Sequence, residues 1–205
     1  MNALWKAASI LSGNLVRTHG AGANSSVYLT FDDGPHPEHT DILLDLLARH
    51  GAKGTFFLVG SAADRFPELV GRMLAEGHSI GSHSMTHPKM RTLGARAQWS
   101  EIDLADAVLQ RLDGKERHMF RPPNGRVTLA ALAACVWRRQ PLMLWSIDSH
   151  DYKLAPSDVI QRLQNLAPTD GDVILFHDDG ACAAHVLGAL LTEWKQAGLS
   201  FPPLT

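Results

Sequence analysis

The 205-residue chain has only two cysteines, Cys135 and Cys182, far apart and without the paired spacing of a zinc knuckle. That argues against a disulfide framework and against a cysteine-based metal site. It also lacks an excess of either charge, because 19 Lys and Arg against 21 Asp and Glu leave a formal net charge of -2. No nucleic-acid partner is expected from such a balance, which suits a neutral or small partner instead. No segment approaches the ~20 apolar residues needed to span a bilayer. Low-complexity tracts, linker-like stretches and close repeats are absent too. What is there, 45% apolar and 20% charged residues, suffices for one well-buried core.

The N-terminal MNALWKAASILSGNLVR is a poor signal peptide, since Ser9, Ser12, Gly13 and Asn14 break its apolar stretch. Leu4, Ala8, Leu11 and Leu15 instead recur at helical spacing. Residues 1–24 are therefore expected to form a helical extension and 25–205 a single domain. A cytoplasmic location is the expectation, with a divergent export signal as the alternative.

Apolar strand-like runs recur along the rest of the chain at 27–31, 55–59, 78–82, 118–122, 141–147 and 172–176, with a seventh candidate near 199–201. Helical patterns separate them at 40–50, 62–76, 95–112, 128–139, 157–166 and 184–197. Regular alternation predicts an α/β fold built of βα units around a mostly parallel sheet. Polar clusters follow five of the runs: DDG, HSMTH, RPPNG, DSHDY and HDDG. An open doubly wound sheet gathers its site between a few strands, whereas a closed barrel brings nearly all strand ends around one mouth. Five contributing ends favour a barrel, and six to seven parallel strands are too few for a regular one. A distorted or incomplete (β/α) barrel is the predicted architecture.

In YLTFDDGP, Asp32 and Asp33 stand side by side where Gly34 and Pro35 must end the strand. Adjacent strand side chains point to opposite faces, so both acids can serve one site only if the strand stops beneath them. His83 and His87 are four residues apart, and one helical turn would set both imidazoles on one face, ready for a divalent metal. A pair of surface histidines is the plain alternative. A carboxylate on the same rim would complete a His2Asp set suited to catalytic zinc. Arg121, on a proline-stiffened strand end, could orient a carboxylate through paired hydrogen bonds, and the amide beside Gly125 could face an oxyanion. Leu175 and His177 share a strand face, which makes His177 a candidate general acid beside a small apolar pocket. The acids of the DSHDY stretch could pair with it and hold it charged. The remaining histidines read as surface or packing residues, with His36, His39 and His150 near the rim.

Taken together, TFDDGP, HSMTHP, RPPNG, DSHDY and LFHD resemble, in order, the motifs of the NodB-homology polysaccharide deacetylases, carbohydrate esterase family four. The resemblance spans roughly residues 27–178. It implies a distorted (β/α) barrel that uses a divalent metal to remove acetyl groups from N-acetylated sugars. Asp33, His83 and His87 then resemble the metal triad, for Zn2+ first, with Co2+ or another divalent ion as alternatives. Asp32 resembles the base toward water, with Arg121 holding it. His177 resembles the acid that protonates the departing amine, tuned by Asp151. Leu175 would line the acetyl pocket, and the backbone amide of Asn124 would face the oxyanion. Tyr152 departs from the pattern, standing where the family usually has tryptophan at the wall behind His177.

The implied partner is an acetylated glycan of chitooligosaccharide, peptidoglycan or exopolysaccharide type. Two other readings stay open: a hydrolase of small C–N amide substrates on the same fold, and a catalytically inactive barrel that only binds glycan. Neither the glycan nor the oligomeric state follows from the residues.

Overall fold

The computed structural model describes residues 15–22 and 24–205. The expected helix around Leu4, Ala8 and Leu11 lies outside them.

The strands are β1 (Val16–Arg17), β2 (Tyr28–Asp32), β3 (Gly54–Leu58), β4 (Ser79–Ser82), β5 (Leu142–Met143), β6 (Ile147–Asp148) and β7 (Val173–His177). Five of them form one sheet in the order β4-β3-β2-β7-β6, and β1 pairs with β5. Every one of these strand pairs is parallel. Phe120 joins the two sheets, bridging Ser82 on one side and Leu142 on the other. The result is the expected distorted, incomplete barrel.

All residues of β2 and β3 are buried, the near-continuous apolar pattern of a parallel sheet covered on both faces. Phe31 stacks on Phe56 with ring centroids 4.9 Å apart and on Phe176 at 6.0 Å. Helices pack outside: α1 (His39–Arg49), α2 (Gly60–Arg65), α3 (Pro67–Ala75), α4 (Ala95–Asp113), α5 (Leu129–Arg138), α6 (Pro156–Leu166) and α7 (Cys182–Gln196). Leu43, Leu44, Leu46 and Leu47 show how α1 turns one apolar stripe inward. No described helix is long and apolar enough to cross a membrane.

Several expected elements differ, each for a local reason. The helix expected over 62–76 is two, because Pro67 can open a helix but cannot sit inside one. The strand expected over 118–122 shrinks to the bridge at Phe120, since Pro122 and Pro123 have no N–H to give a ladder. The strand expected over 141–147 breaks into β5 and β6. Between them the carbonyls of Met143 and Leu144 accept bonds from the Arg121 guanidinium, and the chain exchanges partners from Arg17 to Val173. The candidate seventh strand near 199–201 is only a bridge from Ser26 to Ser200. Its place is taken by β1, which lies within the stretch expected to be a helical extension.

Candidate active site

The carboxyl ends of the strands meet in a cleft of about 280 Å³. Asp32 is the last residue of β2, and register pairs it with His177, the last residue of β7. Asp33 follows with φ of 79°, in the left-handed region that aspartate tolerates better than most residues. This kink answers why two acids stand in a row. It turns the second carboxylate away from the strand's alternation and toward the histidines.

Asp33 Oδ1 lies 3.5 Å from His83 Nε2 and 3.2 Å from His87 Nε2. The three donors all fall within 4.8 Å of one another. The segment from His83 to His87 is a loop rather than the expected helical turn, with φ of 68° at Ser84 and 52° at His87. Spacing therefore brings the rings together by backbone kinks, with their centroids 5.0 Å apart. His83 Nδ1 donates to the carbonyl of Arg121 at 2.7 Å, which leaves Nε2 as a lone-pair donor. Burial lowers the pKa of His83 despite the opposing charges of Asp32 and Asp33, favouring the neutral imidazole that a metal requires. Asp33 Oδ1 is buried yet accepts no hydrogen bond. An orphaned acceptor between two imidazole nitrogens fits a divalent cation.

On one flank, Arg121 Nη1 donates to Asp32 Oδ1 at 2.7 Å. Arg121 is wholly buried, and its guanidinium lies 3.9 Å above the Phe57 ring. The expected pair of bonds to Asp32 is a single one. Its other donors go to Thr30 Oγ1, Met143 O and Leu144 O. Asp32 Oδ2 is left facing the cleft, 3.6 Å from His83 Nε2.

On the other flank, Asp151 grips His177 twice, accepting from its backbone N–H and from Nδ1, each at 2.8 Å. Burial opposes charging this imidazole, but the bond and charge of Asp151, with Asp32 and Asp33 farther off, raise its pKa to about 9. His177 is thus held as a cation near neutral pH. Tyr152 meets the His177 ring edge-on at 5.3 Å and is 56% exposed, so it forms an open wall. Leu175 is buried and lines the cleft. Asn124, in a short turn with φ of 55°, lies on the cleft's rim beside Gly125. An added Cβ on Gly125 would come within 2.4 Å of the Trp145 ring, so only glycine permits this close approach.

Residues 19–135 match the polysaccharide deacetylase family. The chain belongs to that family. It is 34% identical over 181 residues to the peptidoglycan-N-acetylglucosamine deacetylase PgdA of Listeria monocytogenes, covering 88% of this chain and 38% of that protein. It is 35% identical to a chitooligosaccharide deacetylase of Sinorhizobium fredii, covering 78% of this chain and 74% of that one. Its fold superposes on a solved peptidoglycan N-acetylglucosamine deacetylase with a TM-score of 0.88 at 29% identity, covering 96% of this chain and 94% of the other. The chain thus spans well under half the length of the Listeria deacetylase.

Beside the residues that the sequence singled out, the cleft is built from groups that the sequence reading missed. Thr30 shares a strand face with Asp32 and takes a bond from the same guanidinium, a link that the two-residue period could have suggested. Asp178 is buried behind Gly34, and an added Cβ there would come within 2.1 Å of its carboxylate. Thr40 Oγ1 donates to it at 2.6 Å. Burial outweighs that bond and pushes the carboxyl up to about 7. Trp145, Asp148 and Asp179 complete the lining. Of the histidines expected near the rim, His36 and His39 stack on each other at 4.5 Å, and His150 lies 3.5 Å from Asp148.

Proposed function

We propose that this chain is a metal-dependent hydrolase that removes acetyl groups from N-acetylated sugars of a peptidoglycan or chitooligosaccharide type. The observation that carries the reading is one cleft in which two separate carboxylate pairs, Asp32–Arg121 and Asp151–His177, flank the Asp33, His83 and His87 donors. A barrel that merely binds sugar has no need for an acid and a base flanking one set of metal donors.

Asp33, His83 and His87 would hold the ion, and one carboxylate with two imidazoles suits Zn2+. When bound, such a cation supplies positive charge that polarises the acyl oxygen and acidifies water. Asp32 accepts the proton of the attacking water, and Arg121 keeps this carboxylate aimed. The water oxygen bonds to the acyl carbon while the backbone amide of Asn124 faces the developing oxyanion. His177 then delivers its Nε2 proton to the sugar nitrogen as the C–N bond breaks, releasing acetate and a free amine. Asp151 accepts from Nδ1–H and so holds the ring in the orientation that aims Nε2–H at the cleft. Leu175 lines the space for the acetyl methyl, and Tyr152 bounds the open side.

Acetate release by zinc-loaded protein from N-acetylated glycans, set against N-acetylated small amides, tests the reading. Turnover of the glycans that stops on chelation and returns with metal supports it; turnover of the amides alone would replace it. A polymeric cell-wall substrate would be met outside the cytoplasm and a soluble oligosaccharide inside it, so the preferred glycan also bears on location.

A further inference from the structure

The cleft continues past Asn124. That residue also lines a second cavity of about 550 Å³, floored by the buried Met90 and Pro123 and rimmed by Lys89, Arg91 and Arg126. All three cations are exposed, and among the described residues none has an ion-pair partner. No acidic residue lines this cavity, whereas Asp32, Asp33, Asp148 and Asp179 line the first. In a chain with net charge -2, three unpaired cations around one cavity are a local arrangement, not the spill of a basic composition.

Two guanidinium groups and an ammonium offer only donors, and they bind carboxylate or phosphate oxygens best. The apolar floor suits the C–H face of a sugar ring. Because Asn124 lines both cavities, a glycan whose acyl oxygen meets its amide can extend its next sugar into the second. Resting on the deacetylase reading above, we propose that the cavity is a subsite for an acidic substituent, carboxylate or phosphate, on the sugar next to the one that loses its acetyl group. The enzyme then selects anionic N-acetylated glycans over neutral ones.

Three matched oligosaccharides test this: a neutral N-acetylglucosamine tetramer, one with a carboxylate-bearing ether on alternate sugars, and one with a phosphate ester at those positions. Acetate release and calorimetric binding are measured for the parent protein and for the combined variant K89Q/R91Q/R126Q, at low and high salt. Three partly screened contacts of roughly twofold each predict about tenfold tighter binding of an acidic tetramer than of the neutral one, diminishing with salt. In the variant that ratio falls to about one, with the change in KM rather than kcat. Whichever acid binds better names the anion. Equal binding of neutral and acidic tetramers by the parent protein, or a ratio unchanged in the variant, overturns the subsite even if acetate is released. Selective, variant-sensitive binding without acetate release from any tetramer leaves the subsite standing and removes the deacetylase reading instead.

Discussion

Asp32 and Asp33 have the same side chain and are neighbours, yet their surroundings assign them different work. Asp32 is fixed by a buried guanidinium, while Asp33 presents an unbonded oxygen to two imidazoles. Asp32→Asn keeps the shape and the three metal donors, so it should retain the ion and lose about 100-fold or more in acetate release. Asp33→Ala should lose both. Elemental analysis beside turnover decides between them, and the opposite pattern would exchange their roles. His177 carries the second prediction at this scale. A general acid must be protonated, so with a pKa of about 9 it works across the neutral range and fails as pH rises through that value. Asp151→Asn removes the charge that raises the pKa, and the alkaline fall of kcat should move toward lower pH. His177→Ala should lose most of kcat, with KM little changed and metal content intact. An alkaline limb that stays put in Asp151→Asn would detach this pair from the proton transfer.

Between residues and whole molecule, the turns at the strand ends do the aiming. Asp33, Ser84, His87 and Asn124 all have positive φ without being glycine, and all four sit on the loops around one cleft. Such backbone is costly and persists where surrounding contacts fix it. The turn at Asn124 depends on Gly125, whose φ of 61° and contact with Trp145 both exclude a side chain. Gly125→Ala should cost about 1–3 kcal/mol in stability and displace the Asn124 amide, lowering kcat while metal content is unchanged. Thermal melts and single-turnover acetate release measure the two effects, and full turnover in a destabilised variant would exclude this amide from oxyanion binding. The same turns explain what could be read from the sequence. Strands such as 28–32 and 173–177 were legible because buried parallel strands are continuous apolar runs, and the acids and histidines were legible because they stand directly after them. Spacing could not tell that His83 and His87 meet across a kinked loop rather than a helix, since both geometries bring residues four apart together. Nor could it show Arg121 dividing its donors between Asp32, Thr30 and two carbonyls. That division depends on β5 and β6 coming apart beside it, a contact between segments more than twenty residues distant.

Across the whole molecule the buried titratable groups combine into one pH profile of stability. A group whose pKa is raised by folding stabilises the fold fully below its unfolded value and ceases to do so as pH passes its folded value. His177, raised from 6.5 to about 9, therefore contributes about 3 kcal/mol in mildly acid solution, and this is lost by alkaline pH. His118 is buried, and Asp106 and Asp113 raise its pKa against that burial, so its contribution fades on the same side. Asp178, raised from 3.8 to about 7 chiefly by burial, also loses its contribution as pH climbs to neutrality. His78 runs the other way: burial, with the charge of Lys53, lowers it to about 4, and stability is lost as pH falls from its unfolded 6.5 toward that value. Below about 6.5 Asp178 is opposed by His78 and by His83, whose pKa burial also lowers, whereas above it His177, His118 and the tail of Asp178 act together. The chelated protein should thus melt highest in mildly acid solution and lose stability steadily between about pH 7 and 9.5. Asp151→Asn identifies the main contributor, because its destabilisation should be about 3 kcal/mol near pH 6 and shrink as pH rises through 9. Denaturant melts of both proteins across that range measure the difference directly. A difference independent of pH would mean that Asp151 supports the fold by packing alone and does not hold His177 charged.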